Sequence, residues 1–414
     1  MEKIKIAVVG CGGIFANHWT GYIEQRDKGF NDFEIVAFCD LIPERAQAYA
    51  DKYEEAFGTK AKVFSSVDAL IASDVDYKVA SVQVPHSEHH KVAIPLMRAG
   101  KHIMIEKPLA ITMRAAKMMM DEAKKCGVVL KVLENYRYAV SERAAAWAVK
   151  SGMIGTPRMV TMMDVGLRQW YWEWRDHKYI AGGAWTIDGG IHFADLWMNI
   201  LGPVRRVTAI KRTYDNIRYK KFAQQDESQQ AKENATKYRK TRSLLSVNPD
   251  TFGEPIESDL EDTTSALLEF DNGVIGTWLV TRSAPGFVDR GITIAGSEGS
   301  LKWYVGIIDY AQNIVVTWED LQKQYLESLT KEESEFWFPG GLRDTMALEQ
   351  REFFDFLKGE RELEVTADTG YLDMAIPYAV YESAEKGDWV TVQDVMDLKE
   401  EAYQSDINKK VGIE

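Results

Sequence analysis

Short apolar runs alternate with stretches of helical spacing through the first third of the chain. Ile4 to Val9, Ile35 to Cys39, Val79 to Val84, His102 to Ile105 and Val128 to Val132 are brief and largely apolar, the pattern of strands buried on both faces. Pro43 to Tyr53, Ser87 to Arg98 and Thr112 to Lys125 lie between them and read as helices. Pro43 suits a first helical turn, and Gly100 and Gly127 stand where helix C-caps belong. Strands alternating with helices predict βαβ units, hence a parallel, right-handed, doubly wound sheet over residues 1–138.

From residue 139 the pattern changes. Arg158 to Val165 and Val204 to Thr213 read as strands, as do Gly291 to Ala295, Ser300 to Tyr304 and Ile314 to Trp318. Thr263 to Phe270 and Val274 to Thr281 flank Asp271-Asn272-Gly273, and Asn-Gly predicts a hairpin with a type I′ turn. Helices are expected over Arg343 to Lys358 and Tyr371 to Lys386. The expectation is an α+β second domain over 139–395, built on a mostly antiparallel sheet, with 396–414 as a C-terminal tail. Within it, residues 212–262 stand apart. Arg212 to Arg242 holds nine Lys/Arg and four Asp/Glu, whereas Ser243 to Asp262 has six acids and no bases. This reads as a solvated polar insertion bridging two strands; the other reading is a lid or an oligomer contact.

Composition narrows the function classes. The 414 residues imply two or three domains, and 45% hydrophobic with 27% charged residues is ordinary for a globular protein. A net charge of −13 argues against nucleic-acid or anionic-membrane partners. No apolar run is long enough for a membrane span, and Met1-Glu2-Lys3 leads straight into a strand rather than a secretory signal. Cys11, Cys39 and Cys126 have no metal-ligand spacing and are odd in number, so neither a metal site nor a disulfide framework is expected, and the protein reads as cytoplasmic.

The first strand runs into Gly10-Cys11-Gly12-Gly13-Ile14-Phe15. Glycines there allow a tight turn and bring backbone amides up to a pyrophosphate at the positive end of the next helix. The third glycine of a G-x-G-x-x-G fingerprint falls at Phe15, where a bulky side chain is expected to loosen helix–strand packing. Asp40 ends the second strand, where a carboxylate accepts hydrogen bonds from ribose hydroxyls. Leu41 follows, and no base comes before Arg45 to hold a 2′-phosphate, which favours NAD over NADP.

Chemistry gathers at strand ends. Val84-Pro85-His86-Ser87-Glu88-His89 follows the third long strand and Glu106-Lys107-Pro108 the fourth, where ligands of open α/β sheets bind. A lysine beside a nicotinamide can lower the pKa of a substrate hydroxyl, and Glu106 is placed to orient or partly neutralise its ammonium. Taken with Ala99-Gly100-Lys101-His102, Asn135-Tyr136-Arg137-Tyr138, Gly152-Met153-Ile154-Gly155 and Gly182-Gly183 through Asp188, His192 and Asp195, the chain resembles the glucose–fructose oxidoreductase / inositol dehydrogenase / rhizopine catabolism family. Weaker matches run over Ala295 to Leu301 and Tyr378 to Trp389. The resemblance implies a Rossmann domain followed by a domain with a large open sheet, a homo-oligomer, and a catalytic group of Lys107, Asp188 and His192. Asp188 and His192 are four apart and would share one helix face. An imidazole titrates near neutrality and suits a general base, with Asp188 orienting it or binding a neighbouring hydroxyl.

Five of the twelve tryptophans, Trp170, Trp172, Trp174, Trp185 and Trp197, fall within 28 residues. Indole faces suit the C–H faces of sugar rings, and Arg168, Arg175 and His177 nearby can hydrogen-bond hydroxyls. Core or interface packing is the competing reading. The expected protein is an NAD-dependent oxidoreductase turning a secondary hydroxyl of a sugar, glycoside or cyclic polyol into a ketone. Gly10, Gly12, Gly13, Ile14, Phe15, Asp40, Pro85, His89, Glu106 and Lys107 would hold the cofactor; Tyr136, Arg168, Trp170, Trp174, Trp185, Asp188 and His192 would meet substrate. Two alternatives stand beside it: transient oxidation on bound NAD leading to glycoside cleavage or epimerisation, and a cofactor-sensing regulator, against which the presence of both Lys107 and His192 counts. Alanine at Trp170, Trp174 or Trp185 is expected to raise KM in steady-state assays before it lowers the melting temperature; a collapse in melting temperature with unchanged KM would make them core residues.

Overall fold

The computed structural model describes residues 3–167, 173–219, 255–284, 287 and 289–413. The first sheet contains β1 (Ile4–Val9), β2 (Phe33–Cys39), β3 (Lys62–Phe64), β4 (Val79–Val82), β5 (His102–Glu106) and β6 (Leu130–Leu133). Helices α1 (Phe15–Asp27), α2 (Pro43–Phe57), α3 (Val67–Ala72), α4 (His89–Arg98) and α5 (Met113–Cys126) connect them. The order is β3-β2-β1-β4-β5-β6 with every pairing parallel, the doubly wound arrangement expected of the alternating pattern. Helices on both faces explain why β4 and β6 are buried along their whole length. Strand β3 is too short and too polar to show a period, and the pattern along the chain does not reveal it.

Phe15 does not loosen the packing. It is fully buried, with its ring edge-on to Tyr49 at 4.7 Å and to Phe38 at 6.0 Å, so an aromatic cluster between α1, β2 and α2 occupies the space that close helix–strand contact would otherwise fill.

The second domain adds α6 (Val140–Lys150), β7 (Met159–Val165), α7 (Lys178–Ala181), α8 (Trp185–Asp188), α9 (Gly190–Leu201) and β8 (Val204–Arg212). After them come β9 (Ile217–Tyr219), β10 (Pro255–Glu257), β11 (Thr263–Phe270), β12 (Ile275–Thr281), β13 (Asp289–Ala295), β14 (Gly299–Lys302), β15 (Gly306–Asp309) and β16 (Ile314–Thr317). The chain closes with α10 (Trp318–Ser328), α11 (Lys331–Trp337), α12 (Thr345–Lys358), α13 (Ala367–Lys386), β17 (Val390–Thr391), α14 (Val392–Met396) and α15 (Ser405–Val411). Nine strands form one sheet ordered β16-β15-β14-β13-β7-β12-β11-β8-β17, antiparallel except where β7 meets β12. One face packs on α9 and α13 around Trp197 and Trp278. The other carries exposed Ile210, Leu267 and Ile275, with no helix packed on it among the described residues.

The β11–β12 hairpin forms, but its turn is not type I′. Only Gly273 of the three loop residues takes a left-handed φ (86°), whereas type I′ needs two such residues. Asn272 instead uses its side chain, donating to Leu201 O and accepting from Val274 N.

The contacts that bind the domains together among the described residues include two far from the strand ends. Helix α12 lies across α1, and Arg351 and Lys358 reach back to Asp32 at 2.7 and 2.9 Å. Burial pushes the Asp32 carboxyl up, but these cations outweigh it and hold it at about 2. The segment expected as a tail is anchored: Asn408 accepts from Thr112 Oγ1 at 2.6 Å, Gln404 accepts from Met113 N at 2.8 Å, and Ile407 is buried. In the polar segment β9 and β10 pair as a ribbon, Leu260 and Glu261 are buried, and residues 220–254 lie outside the described residues. A Cβ at Gly21 would sit 2.7 Å from Ala347 N across the α1–α12 contact. Gly21→Ala is therefore expected to cost about 1–3 kcal/mol, read as a lower melting temperature by calorimetry with the fold retained by circular dichroism.

Candidate active site

The strand order sets the carboxyl ends of β1, β4, β5 and β6 side by side. At the β1 end, Gly10 takes φ +95°, and a Cβ there would lie 2.3 Å from Gln83 O, so only glycine lets the turn lie against β4. Gly12 faces open space. No side chain caps the following helix at Ile14, which keeps this turn and the positive end of α1 available to an anion. Asp40 follows β2, and its carboxylate accepts from Cys11 N at 2.7 Å and Ile42 N at 2.8 Å. Those bonds aim it at the turn and leave lone pairs for ribose hydroxyls. Leu41 is exposed. This cradle fits a dinucleotide carrying a free 2′-hydroxyl.

Lys107 and Asp188 come together. The lysine Nζ donates to Asp188 Oδ1 at 2.9 Å and to its main-chain O at 2.7 Å. Arg175 lies 3.2 Å from Oδ2 on the other side. Burial pushes the Asp188 carboxyl up, but the Arg175 and Lys107 charges outweigh it and hold it far below the usual range. Burial also pushes His86 down to about 3, so this ring, 4.0 Å from Asp188, is a neutral neighbour. The ammonium partner is thus Asp188. Glu106 turns away: it meets His18 Nε2 at 2.7 Å and accepts from the Lys107 main-chain N at 3.1 Å.

Asp188 and His192 do not share one unbroken helix. Asp188 ends α8, Gly189 follows, and His192 lies in α9. A Cβ at Gly189 would strike the Trp185 ring at 2.2 Å and one at Gly190 the Trp278 ring at 2.3 Å, so the two indoles leave room only for glycine at both positions. The imidazole Nδ1 lies 2.6 Å from Glu134 Oε1 instead of meeting Asp188, and the ring stacks on Tyr136 at 3.8 Å with a 3° interplanar angle.

The other expected residues divide by position. Pro85 opens the loop after β4. His89 is fully buried with Nε2 and Nδ1 against Val84 O and Leu109 O, at 3.0 and 3.3 Å; its ring braces the β4 loop against the β5 loop. Trp174 sits edge-on to His86 at 4.9 Å. Trp185 donates to Asp164 Oδ2 at 2.5 Å and lies beneath Arg282 at 4.3 Å. Arg168 and Trp170 lie outside the described residues. Sequence reasoning missed Glu134, whose only signal was its place after β6, and His18, which had none. Arg175 was named, but for hydroxyl contacts rather than for Asp188.

The N-terminal model of the family described as "Oxidoreductase family, NAD-binding Rossmann fold" matches residues 4–134, and its C-terminal alpha/beta domain matches residues 147–392. The chain belongs to this family. The glucose–fructose oxidoreductase / inositol dehydrogenase / rhizopine catabolism resemblance is thereby established, and with it an NAD-dependent oxidoreductase. D-glucoside 3-dehydrogenase of Escherichia coli K12 is 26% identical over 93% of this chain and 97% of its own length. Levoglucosan dehydrogenase of Pseudarthrobacter phenanthrenivorans is 26% identical over 95% of this chain and 100% of its own. The fold is shared with the WlbA dehydrogenase from Bordetella pertussis, solved with NADH and UDP-GlcNAcA: TM-score 0.67, 23% identity, 94% of this chain and 99% of that one. No helix among the described residues is long and apolar enough to cross a membrane. Asp40→Ala is expected to raise the NAD dissociation constant roughly 10- to 100-fold, the worth of about 1.5–3 kcal/mol for hydrogen bonds to a charged group, measured by isothermal titration calorimetry.

Proposed function

We propose that this oxidoreductase converts a secondary hydroxyl of a sugar, glycoside or cyclic polyol to a ketone. The observation that carries the reading is the Lys107–Asp188 pair at the β5 end, which holds the lysine oriented at the carboxyl end of the parallel sheet. NAD, when bound, supplies the hydride acceptor. Gly10, Gly12, Gly13 and the backbone at Ile14 and Phe15 hold its pyrophosphate, Asp40 holds a ribose, and Pro85, His89 and Glu106 shape the walls of that cleft.

On the protein side, Lys107 Nζ stabilises the alkoxide as it develops, and Asp188 positions the lysine rather than the histidine. His192 takes the hydroxyl proton. Tyr136 places the imidazole by stacking on it, and Trp174 and Trp185 offer indole surface to the ring carbons of a pyranose; Arg168 and Trp170, outside the described residues, remain proposed substrate contacts by their sequence position. The two full-length relatives act, by name, on a glucoside and on levoglucosan, which supports a cyclic carbohydrate. The open sheet face with Ile210, Leu267 and Ile275 supports a homo-oligomer. Free thiols at all three cysteines, two of them buried, accord with a cytoplasmic protein.

Screening NAD reduction against sugars, cyclitols and glycosides identifies the substrate; NADH that accumulates in solution marks net oxidation, and turnover without it marks oxidation followed by elimination. Lys107→Ala is expected to lower kcat about 10²- to 10⁴-fold while leaving the NAD dissociation constant nearly unchanged. Undiminished turnover in this variant removes the mechanism.

A further inference from the structure

Three buried carboxyls that the expected catalytic group does not include converge behind His192. Glu134 follows β6, Glu106 ends β5, and Glu349 comes from α12 in the second domain; all are under a tenth exposed. Their surroundings differ. Glu106 is engaged by His18 and by the Lys107 amide. Glu349 makes no hydrogen bond among the described residues through either oxygen, and its nearest cationic candidate, His18 Nδ1, is 3.8 Å away. Glu134 accepts from Tyr136 N at 3.1 Å with the same Oε1 that meets His192 Nδ1 at 2.6 Å. A carboxylate oxygen accepting a main-chain N–H can receive only a proton-bearing nitrogen as its second partner, so Nδ1 carries the hydrogen. In the neutral ring Nε2 then has a free lone pair.

We propose that Glu134 is a positioning residue for His192, holding the imidazole in its Nδ1–H tautomer so that Nε2 is the atom that takes the substrate proton. This rests on His192 being the base. In the forward step the substrate O–H bond breaks, its proton passes to Nε2, and the imidazolium is held between Tyr136 and the Glu134 carboxylate; bound NAD would supply the acceptor for the carbinol hydride. Glu349 has the opposite part. Burial first, then the Glu106, Glu134 and Glu352 charges, push its carboxyl well above the usual range, so it carries a proton and adds no second negative charge behind His192. The other titratable groups that act on Glu134 or His192 are Glu106 at the β5 end, Asp195 on α9, itself paired with Arg137, and Asp373 on α13.

The test needs no substrate. In protein labelled with ¹⁵N-histidine, the His192 ring signals, assigned by their loss in His192→Gln among the seven histidines, report the tautomer directly. The expected result is the Nδ1–H tautomer in the native chain and, in Glu134→Gln, whose amide can present a donor as well as an acceptor to the ring, a measurable fraction of the Nε2–H tautomer. Glu349→Gln is expected to leave the tautomer unchanged. A native His192 protonated at Nε2, an unchanged tautomer in Glu134→Gln, or an equal change in Glu349→Gln overturns the proposal. Turnover separates it from the reading beneath it: activity surviving in His192→Ala refutes the base itself, whereas Glu134→Gln should lower kcat about tenfold or more and add nothing in the His192→Ala background.

Discussion

A charged lysine held in a mostly buried cleft is the constraint around which the rest of this structure is arranged. Removing an ammonium and a carboxylate from water costs several kcal/mol each, and one contact between them rarely offsets that. Here Lys107 receives both a carboxylate oxygen and a main-chain carbonyl from Asp188, while Arg175 supplies a second positive charge to the same carboxylate. The pair also spans the two domains, since Lys107 stands after β5 and Asp188 ends a short helix 81 residues later. Correct charge placement therefore requires correct domain docking.

That docking is built from elements far from the cleft. Helix α12 presses on α1, whose start forms the dinucleotide turn, and Arg351 and Lys358 pin Asp32 at the foot of β2, whose other end carries Asp40. The last helix clamps the start of α5 through Asn408 and Gln404. On the opposite side, Glu261 from the end of the polar segment accepts from Tyr381 O–H and from Ala184 N, fixing the stretch that delivers Asp188. Packing of this kind passes through rigid, close-fitted contacts, which is how a segment with no catalytic side chain of its own sets the geometry of one that has them.

The cleft joins two electrostatic regimes. Around Asp188, cations exceed anions and the carboxylate stays charged. Behind His192, carboxyls crowd together and one of them, Glu349, is driven to its neutral form. Groups pushed apart in this way are the usual basis for separate acid, base and electrostatic roles in one site.

Fold class, cofactor turn and the residues at strand ends were legible along the chain because each is a local property. Alternating apolar runs and helical spacing require only neighbouring residues, Gly10 and Gly12 act through backbone geometry at one turn, and Asp40 is legible by its place at the end of a strand. The hairpin at Asn272-Gly273 was legible as a hairpin, though not in its turn type, because Asn272 found a partner at Leu201 outside the loop. Phe15 contradicted a local rule for the same reason: its ring is accommodated by Phe38 and Tyr49. What only the tertiary structure decided is partnership. The sequence by itself put Asp188 beside His192, four residues apart, yet the two side chains find different partners. Asp188 turns to Lys107, and His192 meets Glu134 from 58 residues away. Spacing along a chain determines which side chains can share a helix face; which charges meet depends on strand ends brought together by a sheet, and that order is set by the packing of the whole molecule.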